Sequence, residues 1–519
     1  SVKNEHREQS CRLEDNNMRP ELPGFYFDEE KKKYFAIKGP IPGSKPSSSS
    51  SSSRTKQKPD PKPLKEPNYQ KRNKLKALKL LCSRELSGSV VLVNKKKSNF
   101  KEEIEKTQAS NPLVVWRYDS TENIGDAALK EFQVDIQTSQ GLTTKNILVA
   151  GSTGGCLSIL RVSKAGQVPP FDESETQALY GGTECDPVSV LPYKENKREA
   201  PRLIWRPARS HLHARSSISS IQLIGSSNPS ENSHHVKRAL ITTLGSSGRG
   251  SVFILSLAEE PYIVTPRSLR GNVSSECTIW TSDCSVSGTL AAIGTNLGGA
   301  LVDLETGAGS YFLRSESDVL ALQFHQSKGN IVQCGLRNGA IVSVDVRERP
   351  SRLTRHQIRS QSTSGTSQAT SIKKEWFKLR GNINPSHVLY MPSSLTCMKT
   401  LKTYDQYLMA SSMDGTIKLY DQRMVKRGVA VQTYEGHVNS HTRIEFGIDP
   451  SERFLMSGGD DCYTRIWSIK SGQLLSENKF SNSVPSVVCW SAAEGQSEWK
   501  DSIVHGAWLG SREAIFNMF

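Results

Sequence analysis

From about residue 113 onward, apolar positions come in short runs of alternating or near-continuous hydrophobics. Small-residue turns break them, and helical periodicity is almost absent, which predicts many short strands. Four segments align without gaps: "GTNLGGALVDLE" (294–305), "LRNGAIVSVDVR" (336–347), "SMDGTIKLYDQR" (412–423) and "GDDCYTRIWSIK" (459–470). Each carries Asn or Asp at its third place (Asn296, Asn338, Asp414, Asp461), suited to a tight turn. Each then rises through a strand to a large or branched residue at its ninth place: Val302, Val344, Tyr420 and Trp467. The ninth places lie 42, 76 and 47 residues apart. The long gap is accounted for by "SRLTRHQIRSQSTSGTSQATSIKKEWFKLRG" (351–381), which reads as an inserted polar loop. Without it the period is roughly 40 to 45 residues, one four-stranded blade per repeat.

The last full repeat adds Gly436-His437 and "RIWS", with Trp467 followed by Ser468 where an Asp is usual. On these residues the chain resembles the WD-repeat β-propellers. The resemblance implies an all-β fold of about seven blades, near 113–165, 200–262, 272–308, 309–350, 392–428, 431–475 and 476–519. Polar inserts fall near 165–200 and 351–385, and a strand from outside the last blade is expected to close it. Ser457, His437 and Asp461 have the composition of a hydrolase triad. In this family the same places carry a buried structural network with the strand Trp, so His437, Ser457, Asp461 and Trp467 are assigned to that network. No G-x-S-x-G elbow, P-loop or H-E-x-x-H occurs. The expectation is therefore no catalytic residue, no metal and no cofactor.

Residues 1–112 differ in kind. A serine run (Ser47 to Ser53), "KPDPKPLKEP" (58–67) and Lys95 to Lys97 predict a mostly disordered region that buries little apolar surface. Two islands interrupt it: the aromatic "LPGFYFDEEKKKYFAIKGP" (22–40), a short folding or docking motif, and "NYQKRNKLKALKLLCSREL" (68–86). The second places Leu75, Leu78, Cys82 and Leu86 at helical spacing against a Lys/Arg face, a basic amphipathic helix. It either lies on its own domain or is offered to a partner groove.

The net charge of +15 suits nucleic acid or simple solubility, and much of it lies in the first hundred residues. The lysine-rich segments read equally as import signals or as a solvated tail. Ten scattered cysteines without a two-residue pair read as reduced thiols, and no apolar run reaches membrane length, so an intracellular protein, nuclear or cytoplasmic, is expected. The polyserine and the 351–381 segment could accept phosphate.

Two adjacent repeats end in Asp-x-Arg: Asp345-Val346-Arg347 and Asp421-Gln422-Arg423. Neighbouring blades would put both arginines on one rim, a fork for a partner's carboxylates or carbonyls. These paired boxes resemble the WDxR motif of DCAF-type WD-repeat proteins, with Val344 and Tyr420 standing where the motif has Trp. "RPELPGFYFDEEKKKYF", "SDVLALQF" (317–324), "YEGHVN" (434–439) and "DCYTRIWS" (461–468) extend the likeness, toward the family's fourth-factor branch in a plant-like form. The resemblance implies a substrate receptor of cullin-4 RING ubiquitin ligases. Asp345, Arg347, Asp421, Arg423 and Tyr420 would contact the damaged-DNA-binding-protein adaptor, with cullin-4 and the RING subunit bound indirectly and a target protein, not readable from sequence, presented for ubiquitin transfer. The alternative is a WD-repeat scaffold in RNA-processing or chromatin complexes, for which "NKREAPRLIWRPARSHLHAR" (196–215) and 347–380 supply basic residues.

Overall fold

The computed structural model describes residues 25–28, 33–36, 77–93, 96–110, 114–119, 125–138, 141–164, 186–192, 200–207, 210–225, 238–245, 249–257, 263–271, 273, 276–347, 355–359, 376–491 and 506–518. Residues 1–73 form a unit of their own, in which Phe25–Asp28 and Lys33–Ala36 pair as an antiparallel hairpin within the aromatic island. The rest, Lys74–Phe519, is an all-β propeller that carries, among the described residues, two α-helices.

Its sheets are antiparallel meanders of consecutive strands. One contains Ile218–Ile224, Arg238–Thr243, Val252–Ser256 and Val264–Arg267; another Val319–Phe324, Ile331–Leu336, Ala340–Asp345 and Leu389–Tyr390. The next two are Leu395–Thr400, Tyr407–Ser412, Ile417–Asp421, Gln432–Tyr434 and Gly447–Ile448, Phe454–Gly458, Tyr463–Ser468, Leu474–Lys479. Because sheets stack face to face, inner strands are buried on both sides and read as continuous apolar runs, as in "IVQCGL" (331–336). Val332, Val342 and Val344 of one sheet pack with Phe312 and Leu313 of the preceding one, all of them buried. Burial of each such side chain contributes about 1.5–3 kcal/mol.

The Asx turns form in three of the four aligned repeats, while Asn296 Oδ1 instead accepts from Thr278 N (3.1 Å). Asn338 Oδ1 accepts from Ala340 N (3.2 Å), Asp414 Oδ1 from Thr416 N (3.2 Å) and Asp461 Oδ1 from Tyr463 N (3.2 Å). The next residue is left-handed each time: Gly339 (φ 85), Gly415 (φ 82) and, where the repeat lacks glycine, Cys462 (φ 64). A β-carbon there costs of order 1 kcal/mol. Cys462→Gly is therefore expected to stabilise the chain by about that amount in chemical denaturation.

Three sequence-based boundaries change. First, Val115–Asp119 does not open the first sheet. It pairs with Ile515–Met518 (Tyr118 opposite Ile515, Val115 opposite Met518) and so completes the sheet of Pro485–Trp490 and Ala507–Ser511. Tyr118 and Trp508, both buried, lie 5.3 Å apart between ring centroids. Second, Arg202–Arg206 pairs back on Cys156–Lys164, and the sheet it joins also contains Ala128–Thr138 and Gly141–Gly151. Third, the 351–381 insert is not simply a loop: Arg355–Arg359 and Trp376–Gly381 form a hairpin added to Ala308–Ser315 of the neighbouring sheet. Its apolar anchors, Phe377 and Leu379, are outnumbered by Ser, Thr, Lys and Arg, which hid the strands.

Candidate docking surface

The third strands of two adjacent sheets, Ala340–Asp345 and Ile417–Asp421, end at the two Asp-x-Arg boxes. Each aspartate turns its own box. Asp345 Oδ1 accepts from Arg347 N (3.1 Å) and Asp421 Oδ1 from Arg423 N (2.9 Å). The same carboxylates then hold the guanidinium: Arg347 Nε to Asp345 Oδ1 at 3.0 Å and Nη2 to Oδ2 at 2.5 Å; Arg423 Nε to Asp421 Oδ1 at 3.1 Å and Nη2 to Oδ2 at 2.9 Å. Hydrogen bonds from the arginines keep both carboxyl groups below the usual carboxylate range, so both stay ionised. The arginine side chains nonetheless remain 69% and 67% exposed. Each fork is fixed along one edge, with its Nη1 bound to no described residue, so little rotamer entropy remains to be lost on contact.

Tyr420 has a different role from the adaptor contact expected of it. It is 1% exposed, packed with Leu395, Leu408 and Met391, and its hydroxyl donates to the Tyr390 carbonyl (3.2 Å). Val344 is likewise sealed in the core. The residues at the motif's Trp place therefore anchor the strand, Asp421 is itself buried, and the arginines are what the boxes expose.

The middle residue of the second box proves informative. Gln422 Oε1 accepts from Gln333 Nε2 of the neighbouring sheet (2.6 Å), and Gln333 Oε1 accepts from Thr400 Oγ1 (3.2 Å). This chain ties the end of one blade to the flank of the next and fixes the rim between the two arginines. Gln333 is buried, so Gln422→Ala removes the acceptor of its Nε2 and is expected to cost about 1–3 kcal/mol in denaturation midpoint analysis.

On the following sheet the equivalent position is Lys470, whose Nζ meets Glu102 Oε1 at 2.5 Å. Glu102 lies in helix α2 (Phe100–Ala109), which sequence reading missed although its signals are present. Asn99 caps it, accepting from Lys101 N (3.0 Å), and two glutamates occupy its first turn. Glu105 pairs with Arg453, and Ala109 enters the core beside Phe454 and Phe480.

Helix α1 is described over Ala77–Ser87, and residues 68–76 of the expected helix, Leu75 among them, lie outside the described residues. It contacts α2, with the Arg84 guanidinium 5.0 Å from the Phe100 ring. Leu80 is its buried residue, whereas Leu78 (72%), Leu86 (88%) and Cys82 are exposed, so the expected apolar stripe is not the face it packs with. The rim thus carries Arg347, Arg423 and a helical pair on three successive sheets.

The four network residues separate into two groups. His437 Nδ1 lies 3.2 Å from the Gly415 carbonyl and Nε2 2.9 Å from the Gly458 carbonyl, with Ser457 Oγ 3.3 Å away. Burial pushes the imidazole pKa down. Trp467 Nε1 donates to the Glu435 carbonyl (2.8 Å). Asp461 instead pairs with Arg465, which also reaches Glu477. Both Ser457 and His437 are buried, and Asp461 does not orient His437, so the set stitches strands together and is not arranged to activate a nucleophile. Among the described residues no helix is long and apolar enough to cross a membrane.

Residues 364–500 match the sequence profile of the DDB1- and CUL4-associated factor 4 beta-propeller domain. Across 483 residues, 88% of this chain and 78% of the relative, the chain is 24% identical to DDB1- and CUL4-associated factor 4 of Bos taurus. Its human counterpart matches at 34% over 161 residues, 31% of this chain and 26% of that protein. The human DDB1- and CUL4-associated factor 4-like protein 2 matches at 42% over 83 residues, 16% of this chain and 20% of that protein.

Proposed function

The chain is a DCAF-type WD-repeat protein, and from that premise we propose that it is an intracellular, non-enzymatic substrate receptor of a cullin-4 RING ubiquitin ligase. Arg347 and Arg423 dock on the damaged-DNA-binding-protein adaptor, Asp345 and Asp421 aim them, and the adaptor links the chain to cullin-4 and the RING subunit. The ring is read as seven-bladed, one blade for each sheet of four or more strands, with residues 113–519 as the propeller and α1 and α2 of the expected 1–112 region belonging to the same unit as the ring. The observation that carries the reading is the pair of exposed guanidiniums, each pre-aimed by its own aspartate at equivalent ends of neighbouring strands. Beside α2, helix α1 offers the exposed leucines Leu78, Leu81 and Leu86, of the kind that enters a partner's groove.

The test is affinity capture of the full chain from cells, with and without proteasome inhibition. Recovery of the adaptor and cullin-4, with further proteins gained only under inhibition, is the expected result. Capture that retains other partners but never the adaptor would end the reading.

A further inference from the structure

We propose that Tyr404 and Met424, on two loops that meet at Arg423, form the apolar centre of the docking face and fill an adaptor pocket that is apolar within and rimmed by carboxylates. The inference rests on the receptor reading and extends it from charge to burial. Of the nine exposed large apolar side chains among the described residues of 113–519, four lie between 404 and 431: Tyr404, Met424, Val429 and Val431. All four belong to connections of the one sheet whose third strand ends in the second box. Apolar residues scattered singly over a surface are ordinary, whereas a cluster marks a place of contact.

The loop that carries Tyr404 is pinned to the box. Gln422 N donates to the Gln406 carbonyl (2.8 Å) and Gln422 Nε2 to the Asp405 carbonyl (3.2 Å). From the next sheet Glu452 accepts from Lys402 N and, at 3.0 Å, from Thr403 N. Tyr404 meets Tyr407 edge-on, with ring centroids 6.4 Å apart. Tyr407 and Asp405 lie within electrostatic reach of the Arg423 guanidinium, and the Tyr404 hydroxyl within reach of Lys470 Nζ. The aromatic pair is therefore continuous with the second box on one side and with the Lys470–Glu102 contact of α2 on the other. A tyrosine on a loop so held loses little freedom when buried, and an aromatic flanked by arginine is the composition of an interface centre. Arg423 and Lys470 flank the patch, while Asp405 accepts from Ser327 Oγ and Glu452 holds the loop backbone. A second copy of this chain would set its own cations against these, so an apolar pocket ringed by carboxylates is the better match.

The experiment measures binding of the purified full chain to immobilised adaptor by biolayer interferometry over a range of salt. Tyr404→Ala/Met424→Ala is expected to lower the affinity about ten-fold or more, while the melting temperature holds because both side chains are exposed. The variant should keep the salt dependence of the parent chain, since both arginines remain, whereas Arg347→Ala/Arg423→Ala should flatten it. Should the pair misfold, Met424→Glu alone is read in the same way. Val438→Ala truncates an equally exposed apolar residue at the other end of the strands, where the Val438 carbonyl accepts from Asp460 N, and should bind as the parent does. Unchanged affinity in a folded Tyr404→Ala/Met424→Ala chain, or an equal loss in Val438→Ala, overturns the proposal. So does a self-associated parent chain that the same two substitutions dissociate without changing its affinity for the adaptor. If Arg347→Ala/Arg423→Ala loses the adaptor and Tyr404→Ala/Met424→Ala keeps it, only the apolar centre falls; if the parent chain never binds the adaptor, the receptor reading itself is gone.

Discussion

Replacing Arg347 and Arg423 together by alanine is expected to reduce adaptor affinity by about three orders of magnitude. Truncating one member of a desolvated, hydrogen-bonded charge contact costs about 2 kcal/mol or more, roughly 30-fold, and two sites on separate sheets should nearly add. The fold should survive, since neither arginine side chain is buried and, among the described residues, each pairs only with its own aspartate. Asp345→Asn and Asp421→Asn should show a milder loss: the turn-forming oxygen stays, but the charge that aims the guanidinium is gone. Titration calorimetry with purified adaptor reads both effects. A folded double alanine variant that binds within three-fold of the parent chain would remove these arginines from the interface.

Trp467→Ala should be the most damaging single change in the last full repeat. The indole is fully buried among Tyr434, Phe446, Leu455 and Ile469, and its N–H satisfies the Glu435 carbonyl at 2.8 Å. Cavity formation alone costs about 3–5 kcal/mol, and the stranded carbonyl adds to it. Trp467→Phe keeps much of the volume and loses the hydrogen bond, so it should cost about 1–3 kcal/mol. Denaturant unfolding of the two variants separates packing from hydrogen bonding. If Trp467→Ala costs less than Trp467→Phe, the indole is not the post that the geometry makes it.

The sequence exposed this architecture unevenly, for physical reasons. The repeats were legible because Asn338, Asp414 and Asp461 form Asx turns that fix the step into each third strand, and the core valines follow in phase. The boxes were legible as a pair, but the reach of Tyr420 was not, since exposure depends on what Met391 and Leu395 bring over it. Helix α1 was found with the wrong packing face because helical spacing names a stripe without naming its neighbour. Helix α2 was missed because Glu103 and Glu105 look like surface residues, and their burial depends on salt partners, Arg453 among them, that no local pattern supplies. Gln422 looked like a spacer, and its tie to Gln333 crosses 89 residues.

The pairing of Val115–Asp119 with Ile515–Met518 sets a timetable for the newborn chain. Translation at 5–20 residues per second separates the two strands by roughly 20 to 80 s. For all of that interval the earlier strand waits at the ribosome with one edge bare, a target for holding chaperones and for wrong partners alike. A message truncated before the codons for Ile515–Met518 would therefore yield a chain whose other blades can form yet whose ring can never latch.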